Sequence, residues 1–255
     1  MENAGIARIR GSHMQNTQHD ANPETISFLM PSYRSRLHAV LTPTEHRLFR
    51  RLDTPHKIQN FLDKLPVNFS LEGDTAMSPR RVLKTRMAHC AEAAIFAAAA
   101  LAYHGKQPLL MDIRALPSDQ DHIVTLFRDR GLWGAISKTN HAVLRWRDPI
   151  YASARELVMT YAHEYCLPGG KKSMLSFSKP FSLARYAPQS WVIAAEDLDW
   201  LLVDLDTSPH LPIAPRRVLI KRRRMSRVEL LSQDVVEWPE PRKPKRKRTK
   251  KTARL

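Results

Sequence analysis

A thiol attacks a carbonyl carbon only as its thiolate, so a catalytic cysteine needs neighbours that lower its pKa. The chain of 255 residues contains two cysteines, Cys90 and Cys166. Cys90 stands where an alanine-rich stretch begins. A helix starting there would hold the sulfur near unpaired N–H groups and the positive end of the helix dipole. His122, next to Asp119, Gln120 and Asp121, is the imidazole that would complete the activation and later protonate the leaving group. The plain alternative is that Cys90 is a small buried residue on a packed helix, the usual fate of a free cysteine. Cys166, just before Leu167-Pro168, reads as a spacer, and His163-Glu164 as solvent-facing. Cys90 with His89, His104, His122 and His141 also raises the question of zinc. No pair has the C-x-x-C or H-x-x-x-H spacing of a ligand set, so neither a metal nor another cofactor is expected.

Composition bounds the class of protein that carries these residues. With 43% hydrophobic and 26% charged residues the chain reads as an ordinary globular protein. Two cysteines are too few for a disulfide framework and fit a reducing compartment, so a cytoplasmic location is expected. The most apolar window, residues 91–103, contains Glu92 and falls short of the ~20 residues that span a bilayer. The N-terminus has no basic region followed by an apolar run, and Gly11-Ser12-His13-Met14 looks like a cloning scar. Residues 1–23 are polar and aperiodic, and are expected to be disordered.

The elements that must position Cys90 and His122 follow from local signals. Thr42-Pro43, Thr54-Pro55 and Ser78-Pro79 each read as an N-cap with proline at the first helical position, and Pro66 ends the second of these helices. From Cys90 to Tyr103 alanines sit on every face, so this helix should be surrounded by protein rather than lie on a surface. Residues 108–115, 122–127 and 132–137 read as strands, with Asp129-Arg130-Gly131 as the turn between the last two. Residues 142–146 read as a fourth strand and residues 150–165 as a helix. Pro209, Pro212 and Pro215 mark the expected end of the domain.

The order of helix-borne cysteine, strand, strand opening with histidine, turn, and strand with tryptophan resembles the transglutaminase-like branch of the papain-like cysteine protease superfamily. The residues that carry it are Ala88-His89-Cys90-Ala91-Glu92-Ala93, Asp121-His122-Ile123-Val124 and Leu132-Trp133-Gly134-Ala135-Ile136-Ser137. The segment from Ile136 to Arg145 also resembles a group of bacterial transglutaminase-like proteins. The resemblance covers about residues 80–146. It implies an α+β fold over residues 24–215, with N-terminal helices and a central Ala-rich helix packed on an antiparallel sheet. It also implies cysteine-dependent acyl transfer (amidase, peptidase or transglutaminase-like) on a protein or peptide.

In that family an acidic residue four positions after the tryptophan orients the histidine. Here that position holds Ser137, which can accept an imidazole N–H but carries no charge to stabilise an imidazolium. Asn140 is a substitute, since papain-like enzymes use Asn in this role, and Asp148 and Asp121 are weaker contenders. A second register would use His141, with Trp146 and Asp148 downstream; the hairpin around Gly131 favours His122. The oxyanion donors implied are the N–H of Cys90 and the side-chain amide of Asn68, although Asn68 reads more readily as a turn residue after Pro66. The missing carboxylate supports a different class of function, a binding or scaffold protein that keeps the fold without the catalysis.

Charge is concentrated at the C-terminal end. Residues 216–255 hold 16 Lys/Arg against 4 Asp/Glu, so most of the net +16 lies there. This tail, with nine basic residues from Arg242 to Arg254, is expected to be largely disordered. It would give non-specific contact with nucleic acid or another polyanion, act as a nuclear address or anionic-surface tether, or simply solubilise the chain.

Overall fold

The computed structural model describes residues 32–70 and 75–239. Among the described residues four short helices come first: α1 (Tyr33–Val40), α2 (Pro43–Arg51), α3 (Pro55–Asp63) and α4 (Pro79–Thr85). The last three begin at the Thr-Pro and Ser-Pro signals. The Thr42, Thr54 and Ser78 hydroxyls each accept the N–H three residues on, and Pro occupies a position whose N–H would be unpaired in any case. Arg86 then turns the chain in the left-handed region, at φ 61°, and α5 (Cys90–Tyr103) follows.

Every residue of α5 from Ala91 to Tyr103 is buried. Methyl-sized side chains let other elements approach from all sides, and the helix forms the centre of one hydrophobic core with Leu37, Phe49, Ile58, Leu62 and Val82. On its other flank the Thr125 hydroxyl donates to the Ala94 carbonyl at 2.6 Å, tying the helix to the sheet.

The strands are β1 (Leu109–Arg114), β2 (His122–Asp129), β3 (Leu132–Ile136), β4 (Arg147–Tyr151), β5 (Ser176–Ser178), β6 (Phe181–Ser182) and β7 (His210–Pro212). They pair antiparallel in the order β4-β3-β2-β1-β5-β7, with β6 also on β1. Arg130 and Gly131, both at positive φ, close the β2–β3 hairpin. Phe127 pairs with Gly134, where a Cβ would come within 2.4 Å of the Phe127 ring, so only glycine fits. The second face of the sheet buries Met111, Ile113, Val124, Leu126 and Ala135 under α6 (Ala154–Met159) and Tyr161 and Tyr165. Beyond these lie a 3-10 turn at Leu183–Arg185 and the short helices α7 (Pro188–Trp191), α8 (Asp199–Asp206), α9 (Arg216–Leu219) and α10 (Arg227–Leu231). The class is α+β with an antiparallel sheet. Among the described residues no helix is long and apolar enough to cross a membrane.

Three expectations need correction. The stretch 150–165 is not one helix: its first residues complete β4, and α6 starts only after Ser153, whose hydroxyl caps Glu156. Pro149 is tolerated because β4 is an edge strand, where a missing N–H leaves no ladder bond unmade. Residues 142–146 form a loop, since Leu144 adopts φ 59° and cannot continue a strand. The chain does not leave the fold at Pro215. Residues 216–239 form a strap in which Arg222 donates to the Met174 and Lys172 carbonyls, the Met225 N–H donates to the Gly170 carbonyl, and Val236 bridges to His141. Backbone carbonyls, and not ion pairs alone, hold this basic segment down. The segments 1–23 and Arg242–Arg254, expected to be disordered, lie outside the described residues.

Candidate active site

The start of α5 is built by its own side chains. His89 is the N-cap, its Nδ1 accepting the Ala91 N–H at 3.2 Å, while the Glu92 carboxylate accepts the His89 N–H at 3.0 Å. Glu92 is completely buried and also accepts from the Thr75 hydroxyl at 2.7 Å, from Asn68 Nδ2 at 3.2 Å and from the Met77 N–H at 3.2 Å. Such a set of donors offsets the cost of burying a carboxylate and fixes the helix start. Cys90 is the first residue of α5, partly exposed, and its N–H is one that helix geometry leaves without an intrahelical acceptor.

Two imidazoles flank the sulfur. Burial pushes the Cys90 thiol up, but hydrogen bonding and positive charge from His122 and then His89 outweigh it and hold the thiol well below its ordinary range. His89 shifts the other way. Burial lowers it, but Cys90, Glu92 and the Thr75 carbonyl raise it to about 9. Its Nε2 lies 2.6 Å from that carbonyl. The two roles of His89 Nδ1 exclude each other: the neutral ring accepts the Ala91 N–H, whereas the protonated ring presents a donor towards the sulfur. Tyr165, buried nearby, keeps its phenol neutral. Burial and the negative charges of Cys90, Asp121, Asp119 and Asp112 all push it well up.

The third residue is Ser137. His122 Nε2 lies 2.7 Å from the Ser137 hydroxyl, which itself lies against the Leu144 carbonyl. A carbonyl can only accept, so the single hydroxyl proton goes to Leu144, and Ser137 Oγ accepts Nε2–H from His122. That assignment fixes the tautomer and leaves Nδ1 of His122 for the sulfur. Leu144 holds a left-handed backbone that costs a leucine energy, and its N–H donates to Glu164 at 2.6 Å. Glu164 in turn pairs with Arg147 at 2.6 Å. The strain therefore supports the group that aims Ser137.

A further clamp holds the end of β3. The buried Gln59 side chain donates to the Ser137 carbonyl at 2.8 Å and accepts the Ser137 N–H at 3.0 Å. Next to it, buried Lys138 donates to the Leu62 and Leu65 carbonyls at the end of α3, and burial pushes its ammonium pKa down.

The structure thus brings Cys90, His122 and Ser137 together and sends the other candidates elsewhere. Asn140 does not meet His122: its side-chain amide makes a reciprocal pair with the Trp238 backbone, at 2.9 Å each way. Asn68 spends its N–H groups on Thr75 and Glu92, so it is a support for the helix start and not an oxyanion donor. Asp148 accepts from Trp146 Nε1 and Asp121 from the Ala115 N–H. His141 turns to the Gln233 carbonyl, so the second register is not used. Cys166 sits in a bridge with Lys172, its thiol pushed up by burial and Asp119.

Sequence reasoning missed Gln59, Glu92, His89 and Leu144. The His89-x-x-Glu92 spacing of a capping box was a usable signal for two of them. Nothing local marked Gln59 or Leu144. The sequence was compared with family models and with curated proteins, and neither comparison returned a match.

Proposed function

We propose that the chain is a cysteine-dependent acyl-transfer enzyme of transglutaminase-like, papain-like type, acting on a protein or peptide carbonyl. The observation that carries this is the placing of Cys90 at a helix start beside His122, whose ring bonds the Ser137 hydroxyl and, with His89, holds the thiol low. In the resting state the sulfur is a thiolate and the neighbouring imidazole carries the proton. The thiolate attacks the carbonyl carbon, and the oxyanion that forms faces the Cys90 N–H. His122 Nδ1–H protonates the departing amine and the C–N bond breaks, leaving a thioester. Water or a second amine then attacks the thioester, His122 takes its proton, and the thiolate returns. Ser137 keeps the ring in the right tautomer throughout.

The reading is tested with an activated acyl ester. Peptide mass spectrometry should find the acyl group on Cys90, and hydroxylamine should remove it. Cys90→Ser and His122→Ala should abolish the adduct. Acylation spread equally over Cys166, or unchanged in His122→Ala, would reject the mechanism.

A second reading, a binding protein that keeps this fold without turnover, is favoured by one feature: Ser137 in place of a carboxylate. It is the better account if the wild-type protein forms the adduct but no amine or water releases it.

A further inference from the structure

The strap borders a half-open pocket of about 330 Å³ together with Met159, Ala162 and Ile213, within the ~300–1,000 Å³ usual for small-ligand sites. Its apolar lining is Met159, Ala162, Ile213, Val218 and Leu219, with Val218 half exposed. Its mouth is cationic, with Lys172, Arg222 and Arg223. The Arg222 guanidinium is half-buried and bonds only carbonyls, those of Leu219, Met174 and Lys172, and its desolvation pushes its pKa down. Lys172 donates to His163 Nδ1 at 3.0 Å. Among the described residues neither Lys172 nor Arg222 has a carboxylate partner, whereas Arg223 pairs with Glu229. Three carbonyls take three of the five guanidinium N–H groups of Arg222, and His163 takes one of the three ammonium N–H groups of Lys172, so both cations keep donors for an anion from outside the chain.

From this geometry we infer that the pocket is a binding site for an amphiphilic carboxylate, a molecule with an unbranched aliphatic chain and one anionic end. The chain lies on Met159, Ala162 and Leu219, and the carboxylate meets Lys172 and Arg222. Nucleic acid does not fit, because the apolar lining offers aliphatic side chains and no aromatic faces for bases to stack on. The inference is independent of the chemistry at Cys90.

The test is calorimetric titration of the full chain with decanoate, decanol and acetate below the micelle concentration. Decanoate should bind saturably at one site, with decanol and acetate each about tenfold weaker or more, because each lacks one half of the recognition. Val218→Asp adds a like charge at an exposed position of the lining and should weaken decanoate by about tenfold, while Lys172→Gln should weaken decanoate but not decanol. Thermal melting of both variants checks that the fold is intact. Equal affinity for decanoate and decanol, or decanoate binding unchanged in both folded variants, would overturn the inference, as would binding only to micelles or anionic vesicles.

Discussion

Replacing Ser137 separates an aiming role from mere proximity. Ser137→Ala strands the buried His122 Nε2–H and frees the Leu144 carbonyl. A buried polar group deprived of its partner costs ~1–3 kcal/mol, so the variant should lose roughly 2–4 kcal/mol of stability. The imidazolium loses an acceptor worth ~1.5–3 kcal/mol, which lowers the alkylation rate of Cys90 at neutral pH by about 10- to 100-fold. Ser137→Asp is the sharper case. By family analogy a carboxylate should improve the site. Here its oxygen would face the Leu144 carbonyl with no proton between two acceptors, so the variant should be less stable than wild type and no more reactive. The assay is the second-order rate of iodoacetamide alkylation, in a Cys166→Ser background, with thermal melting alongside. If Ser137→Asp reacts faster than wild type without losing stability, the hydrogen-bond order through Leu144 is wrong.

Other expectations rest on neighbouring groups. Gln59→Leu removes both contacts to the Ser137 backbone and should cost about 3 kcal/mol in denaturant unfolding, with slower Cys90 alkylation. His89→Asn keeps an N-cap but removes one imidazole, so the Cys90 pKa, read from the alkylation profile, should rise while staying below that of an ordinary thiol. Burial raises Asp112 to about 6 despite its contact with His210 at 3.0 Å. A carboxyl raised on folding contributes stability at low pH that is lost as pH climbs through ~6. Asp112→Asn should therefore raise the melting temperature at pH 7 and do little near pH 4.

The helix starts were legible because Thr-Pro and Ser-Pro signals act within a few residues. Cys90 was legible because the chain has only two cysteines, and His122 because a histidine opening the second strand after the cysteine helix is an informative order. Ser137 was legible only through the sequence resemblance, as the position where an acidic residue would be expected. Gln59 could not be read, since it meets Ser137 across 78 residues and has no local mark of its role. The strap at 216–239 was misread because charge density suggested solvation, whereas the guanidinium groups of Arg222 and Arg224 found backbone carbonyls. The edge strand β4 was misread because Asp148-Pro149 carries the same signal as a helix start.

The most direct test is the thiol pKa of Cys90, measured from alkylation rates across pH in wild type and in His122→Ala. A thiol held between two imidazoles should react with a midpoint well below that of a free cysteine, and the midpoint should climb when His122 is removed, while Cys166 stays unreactive until alkaline pH. An ordinary midpoint for Cys90, the same with and without His122, would mean that the sulfur and the imidazole do not act on each other.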